Sequence, residues 1–324
     1  MKELKKMETK LILSPLAGFT DDAFRRICDK NGVDYKYTEM VSAKALYYGD
    51  KKTKRLMHVN KDDKNTGIQI FGSEPEIMGK IVKEYINEND DFSSIDINMG
   101  CPANKIVKNM EGAALMKDPL LASKVIREVV KSSTKPVSVK FRLGFDDNHI
   151  NYLEIGKICE EEGASHVTLH ARTREQMYMG EANWEHIKIL KDSLSIPVYG
   201  NGDIFTPEDA YEKLIYSNVD GLQIARGAIG NPFIFRQIKE YMNKGTYEKV
   251  SYDELFSTIK EQYNFMIELK DDKVAITQMR KHIAYYIKGL KNSNRVKDKL
   301  NQINDIDEIF NLLDLYKEEL LKES

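Results

Sequence analysis

Cysteine is scarce in this sequence: Cys28, Cys101 and Cys159 are the only three among 324 residues, and no two form a CxxC pair. That spacing excludes a structural zinc site and a disulfide scaffold, and unpaired thiols fit a reducing compartment, the cytoplasm. Apolar runs are short. Leu11-Ile12-Leu13 is the only one near the charged N-terminus, less than a signal peptide needs. No stretch reaches the ~18 residues that would span a bilayer. Neither charge dominates: 49 Lys and Arg against 51 Asp and Glu leave a net −2, so any basic footprint for nucleic acid has to be local. Internal repeats beyond the alternating elements themselves, and low-complexity segments, are also lacking. With 41% hydrophobic and 31% charged residues the chain has the material for a packed core, which excludes disorder, and its length suits one large domain and a smaller one.

What is present is an alternation. Short β-rich runs at 11–16, 35–39, 67–71, 94–98, 136–141, 166–170, 196–200 and 221–224 are separated by stretches long enough for a crossover helix. One helix is predicted over 74–86, opening on Ser73 as its cap with acids in the first turn, and another over 119–131. Strict β–α alternation dictates a parallel sheet. Eight units in about 240 residues have the size of a TIM (β/α)8 barrel, with an open doubly wound sheet as the alternative. After Gly245 the strand-like runs stop. Segments 252–269, 274–287, 295–303 and 306–321 carry the helical apolar period, which predicts a small C-terminal all-helical domain. The boundary falls at 243–246, giving a barrel of residues 1–243 and a helical domain of 246–324.

A barrel of this kind carries its active site at the C-terminal ends of its strands. Polar residues gather at those ends: Gln69, Asn98, Cys101, Lys140, Arg142, His170, Arg172, then Asn201-Gly202-Asp203 and Ala225-Arg226-Gly227. The last two groups occupy the loops after strands seven and eight, where barrels commonly bind phosphate, and their glycines let main-chain N–H groups approach an anion. Lys140 ends an apolar strand, so its ammonium either snorkels to solvent or faces the mouth, and beside a phosphate cradle the second reading prevails. Cys101, between Gly100 and Pro102, is either a thiol displayed on a tight turn or a buried turn cysteine; Cys28 and Cys159 fall in helical stretches.

Five segments in order, Ser14-Pro15-Leu16-Ala17-Gly18-Phe19-Thr20-Asp21, Asn98-Met99-Gly100-Cys101-Pro102, Lys140-Phe141-Arg142, His170-Ala171-Arg172-Thr173-Arg174 and Gly200-Asn201-Gly202-Asp203, resemble the tRNA-dihydrouridine synthases, nearest to the bacterial B-type branch. The likeness continues into the tail at Arg280-Lys281-His282. It implies a TIM barrel with FMN, a helical tRNA-binding domain, NADPH as reductant, and reduction of a D-loop uridine to 5,6-dihydrouridine. By the same resemblance Cys101 is the general acid that protonates C5 of uracil while a hydride from flavin N5 goes to C6. Asn98, Arg142 and Tyr178 match the positions that hold the flipped-out base. Pro15, Leu16, Ala17, Gln69, Lys140, His170, Asn201, Gly202, Asp203, Ala225, Arg226 and Gly227 match flavin contacts, with Asn201, Asp203, Arg226 and Gly227 toward the ribityl and phosphate. Leu16 stands where the family commonly has methionine, a swap that preserves packing volume.

Between Lys273 and Lys299 lie eight basic residues and one acid, Asp298, a local +7. Lys281, Tyr285 and Lys288 share a face if one helix carries all three, and a basic stripe with an aromatic suits a phosphate backbone. Arg280, Lys281 and Lys288 are therefore the expected RNA contacts, set against an acidic segment at 301–324. Two rival readings remain: a dihydroorotate-dehydrogenase-like flavoprotein acting on a free base, which would not need the basic tail, and a tRNA-binding protein without catalysis, which would not need Cys101, Asn98 and Lys140.

Overall fold

The computed structural model describes residues 9–61, 63 and 65–322; the charged residues 1–8 and the last two of the acidic segment lie outside the described residues. Among the described residues nine strands make one parallel sheet: β1 (Lys10–Leu13), β2 (Tyr35–Tyr37), β3 (Val41–Ser42), β4 (Thr66–Phe71), β5 (Ile95–Met99), β6 (Val137–Arg142), β7 (His166–His170), β8 (Val198–Asn201) and β9 (Gly221–Ile224). β1 pairs with both β2 and β9, and β2 also pairs with β4, so the sheet closes on itself. This is a (β/α)8 barrel and not the open doubly wound sheet. The second of the eight expected strands is split. Lys36 and Tyr37 pair with Thr66 and Gly67, and Val41 and Ser42 pair with Ile70 and Phe71. Between them Thr38 Oγ1 accepts from Gln69 N at 3.2 Å, so a side chain replaces the ladder bond there.

The strands alternate with unusual strictness. Ile68, Ile70, Ile95, Ile97, Val137, Val139, Val167, Leu169 and Leu222 join the apolar cluster that packs against the surrounding helices. The residues between them are polar and face the barrel axis, where Tyr37 Oη reaches Ser138 Oγ at 3.2 Å and His166 Nε2 at 3.1 Å. Barrel interiors are more often filled by branched apolar residues. Here the interior is a hydrogen-bonded lining.

The crossover helices are capped by short polar residues. Asp21 accepts from Phe24 N, and Thr206 with Asp209 forms a capping box on the helix Pro207–Ser217. The predicted cap at Ser73 is corrected. Glu74 occupies the N-cap of the helix Pro75–Ile81 with no side-chain cap bond, because Ser73 Oγ donates instead to the Asn109 carbonyl at 3.0 Å. That helix also loosens into a π-helical turn, Val82–Ile86. Among the described residues no helix is long and apolar enough to cross a membrane.

The helix Ile234–Lys244 ends at Gly245 in a left-handed cap. Beyond it lie Tyr252–Ile267, Asp272–Tyr286, Ser293–Leu300 and Ile306–Lys322. They bury Phe256, Ile259, Tyr263, Met279, Ile283 and Leu313 in a second cluster, which Ala23 and Phe233 join from the barrel side. The helix Asp272–Tyr286 seats on the barrel mouth. Phe19 meets the His282 and Tyr285 rings edge-on at 5.6 and 5.4 Å, and Gly230 lies against the Tyr285 backbone.

Gly230 adopts φ +73°, and a Cβ there would stand 2.5 Å from the Tyr285 carbonyl carbon. Gly49 has the same handedness, φ +77°, with nothing within 4 Å. Gly49→Ala is expected to cost only the backbone strain, ~1–2 kcal/mol. Gly230→Ala should lose a further ~1–3 kcal/mol from overlap. Urea midpoints of the two variants test this; equal losses would mean that the tail yields at this contact without cost.

Candidate active site

A cavity of about 620 Å³ opens at the C-terminal ends of the strands. Its lining includes Pro15, Leu16, Ala17, Gln69, Asn98, Cys101, Lys140, Arg142, His170, Tyr178, Asn201, Gly202, Asp203, Ala225, Arg226 and Gly227. Every residue read as catalytic, base-binding or cofactor-binding is thus brought to one mouth, from seven barrel strands and the loops that follow them. Arg280, Lys281 and Lys288 do not line it.

Cys101 sits on a turn made by its own neighbours. Asn98, at the end of β5, accepts from Gly100 N at 3.1 Å and Cys101 N at 2.9 Å through Oδ1. Arg142, at the end of β6, donates from Nε to the Gly100 carbonyl and from Nη1 to the Thr173 and Met177 carbonyls, at 2.7 to 2.9 Å. One guanidinium therefore ties the Cys101 turn to the loop after β7. Burial pushes the Cys101 thiol up, while Arg142 and Lys140 pull the other way, so the sulfur stays protonated near neutrality. Cys28 and Cys159 are fully buried, as their helical placement implied.

Below the turn the floor is polar. Asn98 Nδ2 donates to Gln69 Oε1 at 2.8 Å, and Lys140 Nζ donates to Asn201 Oδ1 at 3.1 Å. Burial, then the neighbouring Arg142, brings the Lys140 ammonium down to about 7, with Asp96 opposing. Arg142 itself is lowered to about 10 by burial. His170 Nδ1 faces the Asn201 carbonyl at 3.1 Å and must donate to it. Burial and the adjacent cations hold the ring well below its usual range, so it is neutral and Nε2 is an acceptor. Among the described residues that Nε2 is buried without a partner, and so are both amide atoms of Gln223, whose side chain is 0% exposed on the same floor. Unpartnered buried polar atoms cost roughly 1–3 kcal/mol each. Three of them on one cavity floor fit a planar ligand that carries donors and acceptors on its edge.

On the side of the cavity formed after β8 and β9 one carboxylate gathers two guanidinium groups. Asp203 accepts from Arg172 Nη2 at 2.6 Å, Arg226 Nη2 at 2.9 Å and Ala182 N at 2.8 Å. Burial raises its carboxyl, but Arg172, Ala182 N–H and Arg226 together hold it below the ordinary range. Asp203 thus fixes Arg226 at the rim, where the guanidinium stands 5.0 Å from the centre of the exposed Tyr178 ring. Gly227 is there for space: a Cβ would fall 2.0 Å from the Ile204 carbonyl oxygen.

The structure separates the three basic tail residues. Lys288 is exposed but lies past the helix Asp272–Tyr286, so it does not continue a face with Lys281. Arg280 donates to the Ile303 carbonyl at 2.6 Å and to Asn304 Oδ1 at 2.9 Å, within the tail. Lys281 donates to the Gly18 carbonyl and lies 4.1 Å over the Phe19 ring, holding the β1 loop that lines the cavity. Tyr285, noted only as an aromatic in a basic stripe, lines the cavity itself. Other lining residues that the sequence reading missed include Met40, Met177, Ile204, Phe205, Gln223 and Ile229. Gln223 alone had a signal, as a lone polar residue inside an apolar strand.

Lys140 yields a pH test. The unfolded chain keeps its lysine protons to about 10.4, whereas folded Lys140 releases its own near 7. Folding stability contributed by this site therefore rises between those two values. Lys140→Met lacks the dependence. Its urea-midpoint difference from wild type, in flavin-free protein, is expected to move in the wild type's favour from pH 7 to pH 10. A constant difference would mean that Lys140 stays charged in the fold.

Comparison with known proteins agrees with this geometry. The dihydrouridine synthase (Dus) family profile matches residues 12–323. A tRNA-dihydrouridine synthase B from Pasteurella multocida is 37% identical, over 96% of each chain. One from Shewanella oneidensis is 34% identical over 98% of each. A probable tRNA-dihydrouridine synthase from Rickettsia conorii is 36% identical over 92% of this chain and 90% of its own. Among solved structures, histamine dehydrogenase from Rhizobium sp. 4-9 shares the fold with a TM-score of 0.54 at 14% identity, covering 79% of this chain and about half, 48%, of that one. With one family spanning nearly all of its residues and its relatives aligned from end to end, the chain belongs to the dihydrouridine synthase family, on its B-type branch.

Proposed function

We propose that this chain reduces uridine in the D-loop of tRNA to 5,6-dihydrouridine in the cytoplasm, with FMN in the barrel mouth and NADPH as the reductant. The observation that carries the reading is the juxtaposition of a neutral thiol, Cys101, with a cavity floor whose buried His170 and Gln223 atoms lack partners. Gln69, Lys140, His170 and Asn201 would hold the ring and ribityl of FMN, and Asp203, Arg226 and Gly227 would hold its phosphate end. The flavin, when bound, supplies the hydride for C6 of the uracil. The protein supplies the proton: Cys101 Sγ gives it to C5, and the thiolate left behind is stabilised by the charge of Arg142 and by Lys140 in its protonated form. Arg142, held by three carbonyls, and Tyr178, between Arg142 and Arg226, frame the entrance for a base drawn out of its stack. We further propose that the barrel, residues 1–243, carries the chemistry, while residues 246–324 bind the tRNA, with Lys288 facing phosphate.

The barrel and the tail are tested separately. Purified protein should be yellow with bound FMN, and Cys101→Ala should keep flavin and tRNA affinity while single-turnover reduction of tRNA falls roughly 10²–10⁴-fold. Near-normal turnover in that variant would remove Cys101 from the reaction. In the tail, Lys288→Glu should weaken tRNA binding and flatten its salt dependence by about one unit of slope. It should leave flavin reduction by NADPH near wild type. Lys281→Glu should disturb both, because Lys281 also holds the loop at Gly18. Unchanged tRNA affinity in the Lys288 variant would exclude the tail contact.

A further inference from the structure

We infer that Asp96 is the positioning residue for Cys101: its buried carboxylate orients the amides of Gln69 and Asn98, and Asn98 in turn holds the turn that carries the thiol. The inference rests on the role proposed for Cys101. Hydrogen-bond polarity fixes the direction of every link. Gly100 N and Cys101 N can only donate, and both do so to Asn98 Oδ1. Asn98 is left with its NH2 group, which donates to Gln69 Oε1 at 2.8 Å. Gln69 is left in turn with its own NH2 group, which donates to Asp96 Oδ2 at 2.7 Å. An ionised carboxylate only accepts, so it ends the chain, and its other oxygen takes the Ser138 hydroxyl at 2.6 Å.

Two amides thus stand between donor-only and acceptor-only ends, and both must point the same way. Asp96, Gln69 and Asn98 are 1%, 1% and 8% exposed, so bulk solvent does not reach a stranded amide from behind. Without an acceptor at position 96, the Gln69 NH2 is stranded. Turning it over would set it against the Asn98 NH2. Asp96 does not line the cavity, so it acts through the other two. Burial raises its carboxyl to about 6, with Gln69, Ser138 and Lys140 holding it down, which leaves it ionised at pH 7.5.

The test compares Asp96→Ala with Asp96→Asn in flavin-loaded protein. Asparagine keeps an oxygen for Gln69 and offers NH2 to Ser138 Oγ; alanine keeps neither. The first measurement is the rate at which iodoacetamide alkylates Cys101, read by peptide mass; Cys28 and Cys159 are fully buried and do not compete. The second is single-turnover reduction of tRNA. In Asp96→Ala, alkylation should quicken and turnover fall, each by about tenfold, the equivalent of one lost hydrogen bond of ~1.4 kcal/mol. Asp96→Asn should restore both. Unchanged alkylation in the alanine variant, or no rescue by asparagine, would overturn the inference. Faster alkylation with normal turnover would uphold the positioning and count instead against Cys101 as the acid. If Asp96→Ala does not load flavin, Asp96→Ser, whose hydroxyl falls short of Gln69, takes its place. Failure of both to fold would overturn the inference, since the barrel and not the turn would then need the carboxylate.

Discussion

The structure depends on keeping polar atoms satisfied inside a closed sheet. Strands that are apolar on the outer face and polar on the inner one must pair their inner side chains with each other, because water is excluded and each orphan is costly. Tyr37, Ser138 and His166 do this low in the barrel, and Gln69 with Asn98 does it near the top. The pairing stops at His170 Nε2 and the Gln223 amide. The mouth is therefore defined as much by unfinished hydrogen bonding as by its hollow shape, and the cations around it, Lys140, Arg142 and Arg226, decide that whatever completes it should be electron-rich.

The same constraint explains what could be read from the sequence. A period of two over Ser94-Ile95-Asp96-Ile97-Asn98 identifies a strand and places Asp96 and Asn98 on one face, so the inner polar lining was legible in principle. Asn98 was recognised through its motif, whereas Asp96, two residues earlier on the same face, passed as an ordinary strand residue. Strand ends came out within a few residues, and the residues read as catalytic, base-binding or cofactor-binding all reached the mouth, although Arg172, at a strand end too, lies behind it and holds Asp203.

The tail was less legible for a matching reason. Helical periodicity says which residues share a face, but not which part of the chain covers that face. Lys281 and Tyr285 read as members of a basic stripe open to a phosphate backbone. One holds the Gly18 carbonyl, and the other lines the cavity. Arg280 is taken up by the Ile303 carbonyl. Ser73 misled similarly: a capping pattern is local, whereas its hydroxyl found a carbonyl 36 residues away.

The order in which the cavity wall comes together has a bearing on biosynthesis. Its lining runs from Ser14 to Tyr285, and the barrel is shut only when β9 reaches β1. A nascent chain emerging from the ribosome holds the first motif long before it holds the last wall, and such distant pairings form late. Until the helix Asp272–Tyr286 has been made and docked, the wall at Tyr285 is missing. The last piece of that wall, Tyr285, is accordingly supplied only by the finished chain, and a truncated product stopping short of residue 285 would display the whole barrel motif set with one side of its cavity left open.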